Sequence, residues 1–130
     1  MESLLQVWLE MEEGIPPLDL DGRVFTTADN SENGDAGGAT RFFYRQHGAR
    51  VWAYYCGGRI RFGLLSAVWT QGGRLEMLYE HVSEDGVHRT GRCTSVPEIF
   101  EGGRVMMHEE WEWTNGDRSK GKSILRQEAP

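Results

Sequence analysis

The residues best suited to chemistry lie in the stretch 104–113, where apolar and polar side chains alternate. One set of alternate positions holds Val105, Met107, Glu109, Trp111 and Trp113, so a single carboxyl group interrupts an otherwise apolar face. Successive side chains of a strand point to opposite faces, which places this set in the protein interior. Burial raises the pKa of a carboxyl group unless a cation or hydrogen-bond donors compensate. We therefore predict that Glu109 is an interior acid/base group.

Further interior polar groups follow from the same alternation. They are Tyr79 and His81 in the stretch 74–83, Tyr44 and Gln46 in 40–46, and Asp117 in 117–126. The predicted catalytic set is Glu109, Tyr79, His81, Tyr44 and Asp117. Its phenol and imidazole groups would meet a carbonyl oxygen where charge develops, while Asp117 orients one of them. The predicted substrate-binding residues are Trp111, Trp113, Tyr55, Met77, Phe42, Gln46 and Trp8. The alternative is a satisfied buried polar network that only fixes strand register.

Two of the predicted strands carry small or polar residues at inward positions. These are Gly91, Cys93 and Ser95 in the stretch 88–95, and Ser119, Gly121 and Ser123 in 117–126. A filled interior would hold Val, Leu and Ile at such positions. We therefore expect a ligand cavity, and the sequence-based ligand hypotheses require it to hold at least roughly 300 Å³.

The elements that position these groups are strands, because everything after Gly22 alternates in character between turn residues. The predicted strands are 23–28, 40–46, 51–56, 60–70, 74–83, 88–95, 104–113 and 117–126. Short, glycine-rich connections make neighbouring strands antiparallel and sequential, and eight such strands remove their edges by closing. We predict an all-β fold, an eight-stranded antiparallel up-and-down barrel of the calycin-like kind. A half-open sandwich is the alternative.

One short amphipathic helix is predicted before the barrel. Ser3 caps it with Gln6 reaching back, and Gly14, Pro16 and Pro17 end it. Its apolar stripe consists of Leu4, Leu5, Trp8, Leu9 and Met11. The stripe either closes the barrel mouth as a lid, packs on the outer face of the barrel, or forms an interface between two copies. The predicted single domain is 1–130, with helix and linker in 1–21 and the barrel in 22–130.

Composition argues against several functional classes. A chain of 130 residues, 38% of them hydrophobic, makes one domain with its own core and is too short for a multidomain enzyme. The net charge of -6 and the singly spaced arginines argue against nucleic acid as a partner. Cys56 and Cys93 lack CxxC or metal-site spacing, so we predict no disulfide, no metal and no cofactor. The chain opens on acidic Glu2 and has no membrane-length apolar run, so we expect a cytoplasmic monomer or homodimer without membrane contact.

From Asn30 onward the sequence resembles a family of short bacterial β-barrel proteins that carry the automated label N-acetylglutamate synthase. The motifs include Thr90-Gly91-Arg92-Cys93, His108-Glu109-Glu110-Trp111-Glu112-Trp113-Thr114 and Gly116-Asp117-Arg118-Ser119. We judge the label wrong, because an acetyl-CoA transferase needs a pyrophosphate-binding turn at a helix start, and no helix is predicted after a strand. In size and design the chain is also similar to the small β-barrel cyclases of polyketide pathways.

The resulting hypothesis is a cofactor-free enzyme of lyase or cyclase type in specialised-metabolite, polyketide-type biosynthesis. Its lumen would bind a small apolar metabolite and catalyse a dehydration, a Michael-type addition or a related cyclisation. Glu109 and the phenol groups would supply general acid/base catalysis, and the lumen would hold the chain in a reactive shape. The alternative is a non-catalytic carrier or sensor that uses the same cavity.

Overall fold

A computed structural model describes residues 3–129 of the chain, so Glu2 lies outside the described residues. The elements are α1 Leu4–Glu10, β1 Val24–Asn30, β2 Arg41–His47, β3 Arg50–Gly57, β4 Ile60–Thr70, β5 Arg74–Ser83, β6 His88–Phe100, β7 Arg104–Trp113 and β8 Lys120–Gln127, with a 3-10 turn at Glu101–Gly103. Every predicted strand overlaps an observed one. Within the described residues no helix is long and apolar enough to cross a membrane.

The eight strands form a closed barrel. Strands β1 to β8 pair in sequence order, each antiparallel to the next, and β8 pairs with β1. The closing pair sets Thr26 opposite Arg126 and Thr27 opposite Leu125. Closure satisfies the backbone groups that an open sheet edge would leave unpaired. The predicted up-and-down barrel is confirmed, and the half-open sandwich is wrong.

The strand connections define the two ends of the barrel. The connections 31–40, 58–59, 84–87 and 114–119 form one end, which we call the mouth end. The connections 48–49, 71–73 and 101–103 form the other end, which we call the N-terminal end because residues 14–22 lie there. The turns at Gly48 and Gly73 need glycine, since their φ angles are 59° and 73°.

The alternation predicted for β7 is seen in the structure. Its inward residues are Val105 at 0% exposure, Met107 at 0%, Glu109 at 9%, Trp111 at 8% and Trp113 at 4%. The outward residues His108 and Glu110 are exposed. Toward the N-terminal end the interior is filled by apolar side chains, among them Leu20, Trp69 and Leu75. The polar inward positions therefore lie nearer the mouth end.

Helix α1 begins as predicted but is shorter than the predicted run. The Ser3 hydroxyl accepts a hydrogen bond from the Gln6 backbone N–H at 3.1 Å, which is the predicted cap. At the other end the Arg50 guanidinium donates to the carbonyls of Leu9 at 3.2 Å and Met11 at 2.9 Å. Helix ends leave carbonyls without intrahelical partners, so this one barrel arginine ends the helix and holds it in place.

The helix packs on the outer wall of the barrel. The Trp8 indole N–H donates to the Ala67 carbonyl at 2.6 Å, and its ring lies edge-on to outward-facing Trp52 at 6.2 Å. Leu5 and Leu9 of the apolar stripe remain 63% and 66% exposed. The lid interpretation is therefore wrong in this arrangement, and packing on the outer face is what the structure shows.

Candidate functional site

A pocket occupies the barrel interior at the mouth end. Of the predicted site residues, those that line it are Glu109, Tyr79, His81, Tyr44, Trp111, Trp113, Tyr55, Met77 and Phe42. They come from β2, β3, β5 and β7, so the alternation brought together side chains that are far apart in sequence. The cavity volume is about 60 Å³, which is well below the expected 300 Å³ and is room for a few water-sized groups.

Glycines opposite aromatic residues explain why the cavity is smaller than expected. In three cross-strand pairs an aromatic ring lies over a glycine, namely Tyr55 over Gly63, Tyr79 over Gly91 and Trp111 over Gly121. A Cβ added at Gly91 would lie 2.2 Å from the Tyr79 ring. The small inward residues therefore make room for their neighbours' rings, and only part of the space they leave is empty.

Glu109 is buried in the interior wall of the pocket. One carboxyl oxygen accepts a hydrogen bond from the Ser123 hydroxyl at 3.0 Å, and the other accepts one from the Ser95 hydroxyl. Burial raises the pKa of Glu109 to about 7, although the bonds from Ser95, Ser123 and Cys93 oppose this rise. Ser95 on β6 and Ser123 on β8 both point into the barrel, so the two strands that flank β7 each give this carboxyl group one hydrogen bond.

The Tyr44 hydroxyl is the second polar group of this part of the pocket. The side chain is 1% exposed, and its hydroxyl has no hydrogen-bond partner among residues 3–129. Burial raises the pKa of this phenol far above its ordinary value, with the nearby Glu109 carboxyl as a smaller cause, so the group is a neutral donor and acceptor. An unpartnered buried hydroxyl costs free energy, so a ligand atom that pairs with it would gain by removing that cost.

Near the mouth, three buried side chains form a hydrogen-bonded chain. The Tyr55 hydroxyl lies 3.0 Å from His81 Nδ1, and His81 Nε2 lies 2.9 Å from Asp35 Oδ2. Burial lowers the pKa of His81, against the opposing effect of Asp35. The guanidiniums of Arg89 and Arg59 reach the same carboxylate at 3.5 and 3.7 Å. Asp35 therefore ties the β1–β2 connection to the barrel wall.

Two indoles form one side of the pocket and are fixed by the end of β1 and the connection that follows it. The Trp111 N–H donates to Asn30 Oδ1 at 3.1 Å, and the Trp113 N–H donates to the Asn33 carbonyl at 3.2 Å. Their rings lie 5.2 Å apart, and Arg89 lies over the Trp113 ring at 4.7 Å. With both indole N–H groups bound to protein, the ring faces are what these side chains offer to a ligand.

Three predicted site residues lie away from the pocket. Asp117 is exposed in the β7–β8 connection, because β8 begins only at Lys120 and the Asp117 carboxylate accepts from the Ser119 backbone N–H at 3.0 Å. Gln46 lies at the N-terminal end. Its amide oxygen accepts from the Leu20 N–H at 2.9 Å and the Trp69 indole at 3.1 Å. Trp8 is on the outer wall, as described above. None of these three residues lines the mouth-end pocket, so their site roles stay predictions to which its geometry gives no support.

The sequence analysis missed Asp35 and Asn30, which both line the pocket. They border the run Ser31-Glu32-Asn33-Gly34, whose turn-forming residues hide any alternation. The feature that marks Asp35 is its burial, since it is only 7% exposed and a buried acid needs partners. The sequence of a connection does not indicate burial.

Comparison with known proteins identifies the family. A family model described as avidin-like protein matches residues 18–128, which covers all eight strands of the barrel and leaves out α1. The chain belongs to the avidin-like protein family. No curated protein and no solved structure matches it. The avidin-like match agrees with the barrel and gives no support to the N-acetylglutamate synthase label or to the likeness with polyketide cyclases.

Proposed function

We propose that this avidin-like barrel is a non-catalytic carrier or sensor that binds a small molecule in its mouth-end pocket. The avidin-like family binds small ligands such as biotin, and this pocket occupies the interior of the same kind of barrel. The proposal adopts the alternative from the sequence analysis. The general acid/base role of Glu109 stays a prediction, and Asp117, one of its four predicted catalytic partners, lies outside the pocket.

The observation that carries the proposal is the unpartnered Tyr44 hydroxyl at an aromatic-lined pocket. Buried polar groups in folded proteins are almost always hydrogen-bonded, and an unsatisfied one costs about 1–3 kcal/mol. A ligand with a polar atom beside Tyr44 would remove that cost, and its apolar part would contact Phe42, Met77 and the two indoles. A mostly flat molecule with a polar end fits this arrangement best.

The cavity volume limits how much of the ligand is enclosed. The interior cavity is about 60 Å³, so it can enclose only a small part of a drug-sized ligand. Most drug-sized ligand pockets hold roughly 300–1,000 Å³. The polar end would therefore enter the barrel, while the rest of the ligand would occupy the space that opens at the mouth.

The test compares three single variants after incubation with a small-molecule extract of the source cells. Protein is recovered by gel filtration and denatured, and the released compounds are identified by mass spectrometry. Tyr44→Phe should retain about tenfold less of a compound that wild type retains, because it loses one hydrogen bond to a buried partner. Met77→Trp should retain none, since the larger ring fills the cavity.

The matched control is Tyr54→Phe, which removes the same hydroxyl from an outward tyrosine of β3 that is 47% exposed. It should retain the compound as wild type does. Unfolding curves show whether Met77→Trp still folds, and Tyr44→Phe has no reason to unfold because the lost hydroxyl has no partner. Equal retention by wild type, Tyr44→Phe and folded Met77→Trp would refute binding in this pocket.

A further inference from the structure

The Glu109 carboxyl is buried in the pocket without a cation. Among the described residues its polar contacts are the hydroxyls of Ser95 and Ser123 and the thiol of Cys93, and no ion pair includes it. Each carboxyl oxygen lies within hydrogen-bond reach of one serine hydroxyl, so an ionised Glu109 has a donor at both oxygens. Buried carboxylates are rare in proteins unless a positive charge lies beside them.

The other titratable groups around Glu109 do not supply that charge. They are Cys93 on β6, Tyr44 on β2, Tyr55 on β3 and Tyr79 on β5, and burial raises the pKa of each, so all four are neutral at pH 7. The two guanidiniums at the mouth, Arg59 and Arg89, approach Asp35 instead. The pocket residue His81 does not supply one either, because burial lowers its pKa, so no side chain among the described residues places a positive charge beside an ionised Glu109.

The walls of the pocket are well suited to an organic cation. Aromatic rings line it from several strands, and they are Phe42, Tyr44, Tyr55, Tyr79, Trp111 and Trp113. The face of an aromatic ring carries negative potential, and aromatic cages are the usual protein site for ammonium groups. The interior cavity of about 60 Å³ has the scale of a single charged head group and excludes a large hydrated ion.

We propose that the ligand of this pocket is a small organic cation, whose ammonium group enters between the aromatic walls and lies beside Glu109. The inference rests on the proposed small-molecule binding and names the chemical class of the ligand. An ammonium group would give the carboxylate its missing counterion, and primary amines could also donate to the Tyr44 hydroxyl oxygen. Binding would keep Glu109 ionised, so affinity should fall as pH drops below 7.

The test uses two pairs of probes that differ in charge and are similar in shape. The pairs are choline with 3,3-dimethylbutan-1-ol, and propylammonium with propan-1-ol. Binding is followed at pH 8, in phosphate buffer free of amines, through the indole N–H signals of Trp111 and Trp113 in NMR titrations. Wild type should bind at least one cation about tenfold more tightly than its neutral match. Glu109→Gln should reduce that preference to less than about threefold, because it removes the negative charge from a side chain of nearly the same shape.

Glu110→Gln is the matched control, because it removes the same charge one residue away on the exposed outer face of β7. It should keep the full cation preference. Equal binding of cations and neutral probes, no binding of either cation, or a preference that survives in Glu109→Gln would each overturn the cation assignment. Small-molecule binding itself is judged by the extract experiment, so a compound retained there would leave the proposed function standing when the cation assignment fails.

Discussion

Glu109→Gln should change how the stability of the barrel depends on pH. Glu109 has an ordinary pKa of 4.5, which burial raises to about 7 in the folded protein. Between these two values the folded state binds more protons than the unfolded state, so wild-type stability falls as pH rises. At about 1.4 kcal/mol per pKa unit, the loss reaches about 3 kcal/mol above pH 7. Glutamine does not titrate, so the variant lacks this loss.

The measurement is the midpoint of thermal or urea unfolding for wild type and Glu109→Gln from pH 4 to pH 9, without ligand and in amine-free buffers. The variant loses some hydrogen bonding to Ser95 and Ser123, but that cost is the same at every pH. The difference between the two proteins should therefore shift in the variant's favour by about 3 kcal/mol from pH 4 to pH 9, which is roughly 10 °C in melting temperature for a domain of this size.

Other titrating groups cancel in this comparison, because wild type and variant share them. Glu110→Gln serves as the control, since Glu110 is an exposed side chain whose ion pair with Lys122 spans 3.6 Å. Its unfolding curve should run parallel to that of wild type. Parallel curves for Glu109→Gln across the whole pH range would show that Glu109 has an ordinary pKa, and both its burial without a cation and the inference drawn from it would be wrong.

Two further predictions concern packing. Gly91→Ala should lower the free energy of unfolding by about 1–3 kcal/mol, because the new Cβ would lie 2.2 Å from the Tyr79 ring. Denaturant unfolding measures this loss of stability. Gly72→Ala is the control, because Gly72 lies in an open turn and its substitution is costly only through the φ angle of 84°. Equal losses of stability in the two variants would contradict the packing argument. Trp8→Ala should lower the free energy of unfolding, because packing on the outer wall is lost. It should leave ligand retention unchanged, and faster ligand release from the folded variant would support the lid interpretation instead.

The strands and their inward faces could be predicted from the sequence because both signals are local. Side chains alternate with a period of two, and glycine-rich turns separate the runs. These signals placed Glu109, Tyr44 and Tyr79 correctly in the interior. The prediction of eight sequential hairpin strands then led to closure, since only a closed sheet leaves no edge.

The alternation of residue types shows which face of the sheet a side chain lies on, but not its position along the barrel axis. Tyr44 and Gln46 share the inward face of β2, yet only Tyr44 reaches the pocket, while Gln46 joins Leu20 and Trp69 at the N-terminal end. The distance between the two residues along the strand is about 7 Å, which is enough to move a side chain out of a small pocket. Position along the axis depends on the strand register across the whole sheet, and the sequence of one strand does not contain it.

Local signals also fail where a residue's surroundings are supplied by another element. The sequence of α1 showed that one side of the helix is apolar, but it did not show where the helix lies. Its position depends on hydrogen bonds from the guanidinium of Arg50, which belongs to β3. Gly91 indicated free volume, but the Tyr79 ring from β5 occupies that volume. In each case the deciding contact is between residues far apart in sequence, so no local pattern reports it.

The distribution of unmet polar groups is the strongest argument that the pocket has a role beyond holding the barrel together. Away from it, most buried polar side chains have partners, as with Thr40, whose hydroxyl donates to the Gly57 carbonyl at 3.0 Å and accepts from the Gly37 N–H at 3.1 Å. Among the described residues, the buried side-chain polar atoms without a partner are the hydroxyls of Tyr44, which lines the pocket, and of Thr27, which does not line it and lies on the neighbouring strand β1. Glu109 adds a carboxyl group without a cation. A leucine or phenylalanine at these positions would make a more stable barrel, because replacing unpaired buried polar groups with apolar ones removes a desolvation cost. A ligand that pairs with these groups removes their desolvation cost and therefore binds more tightly. Because it binds only the folded state, it also stabilises that state.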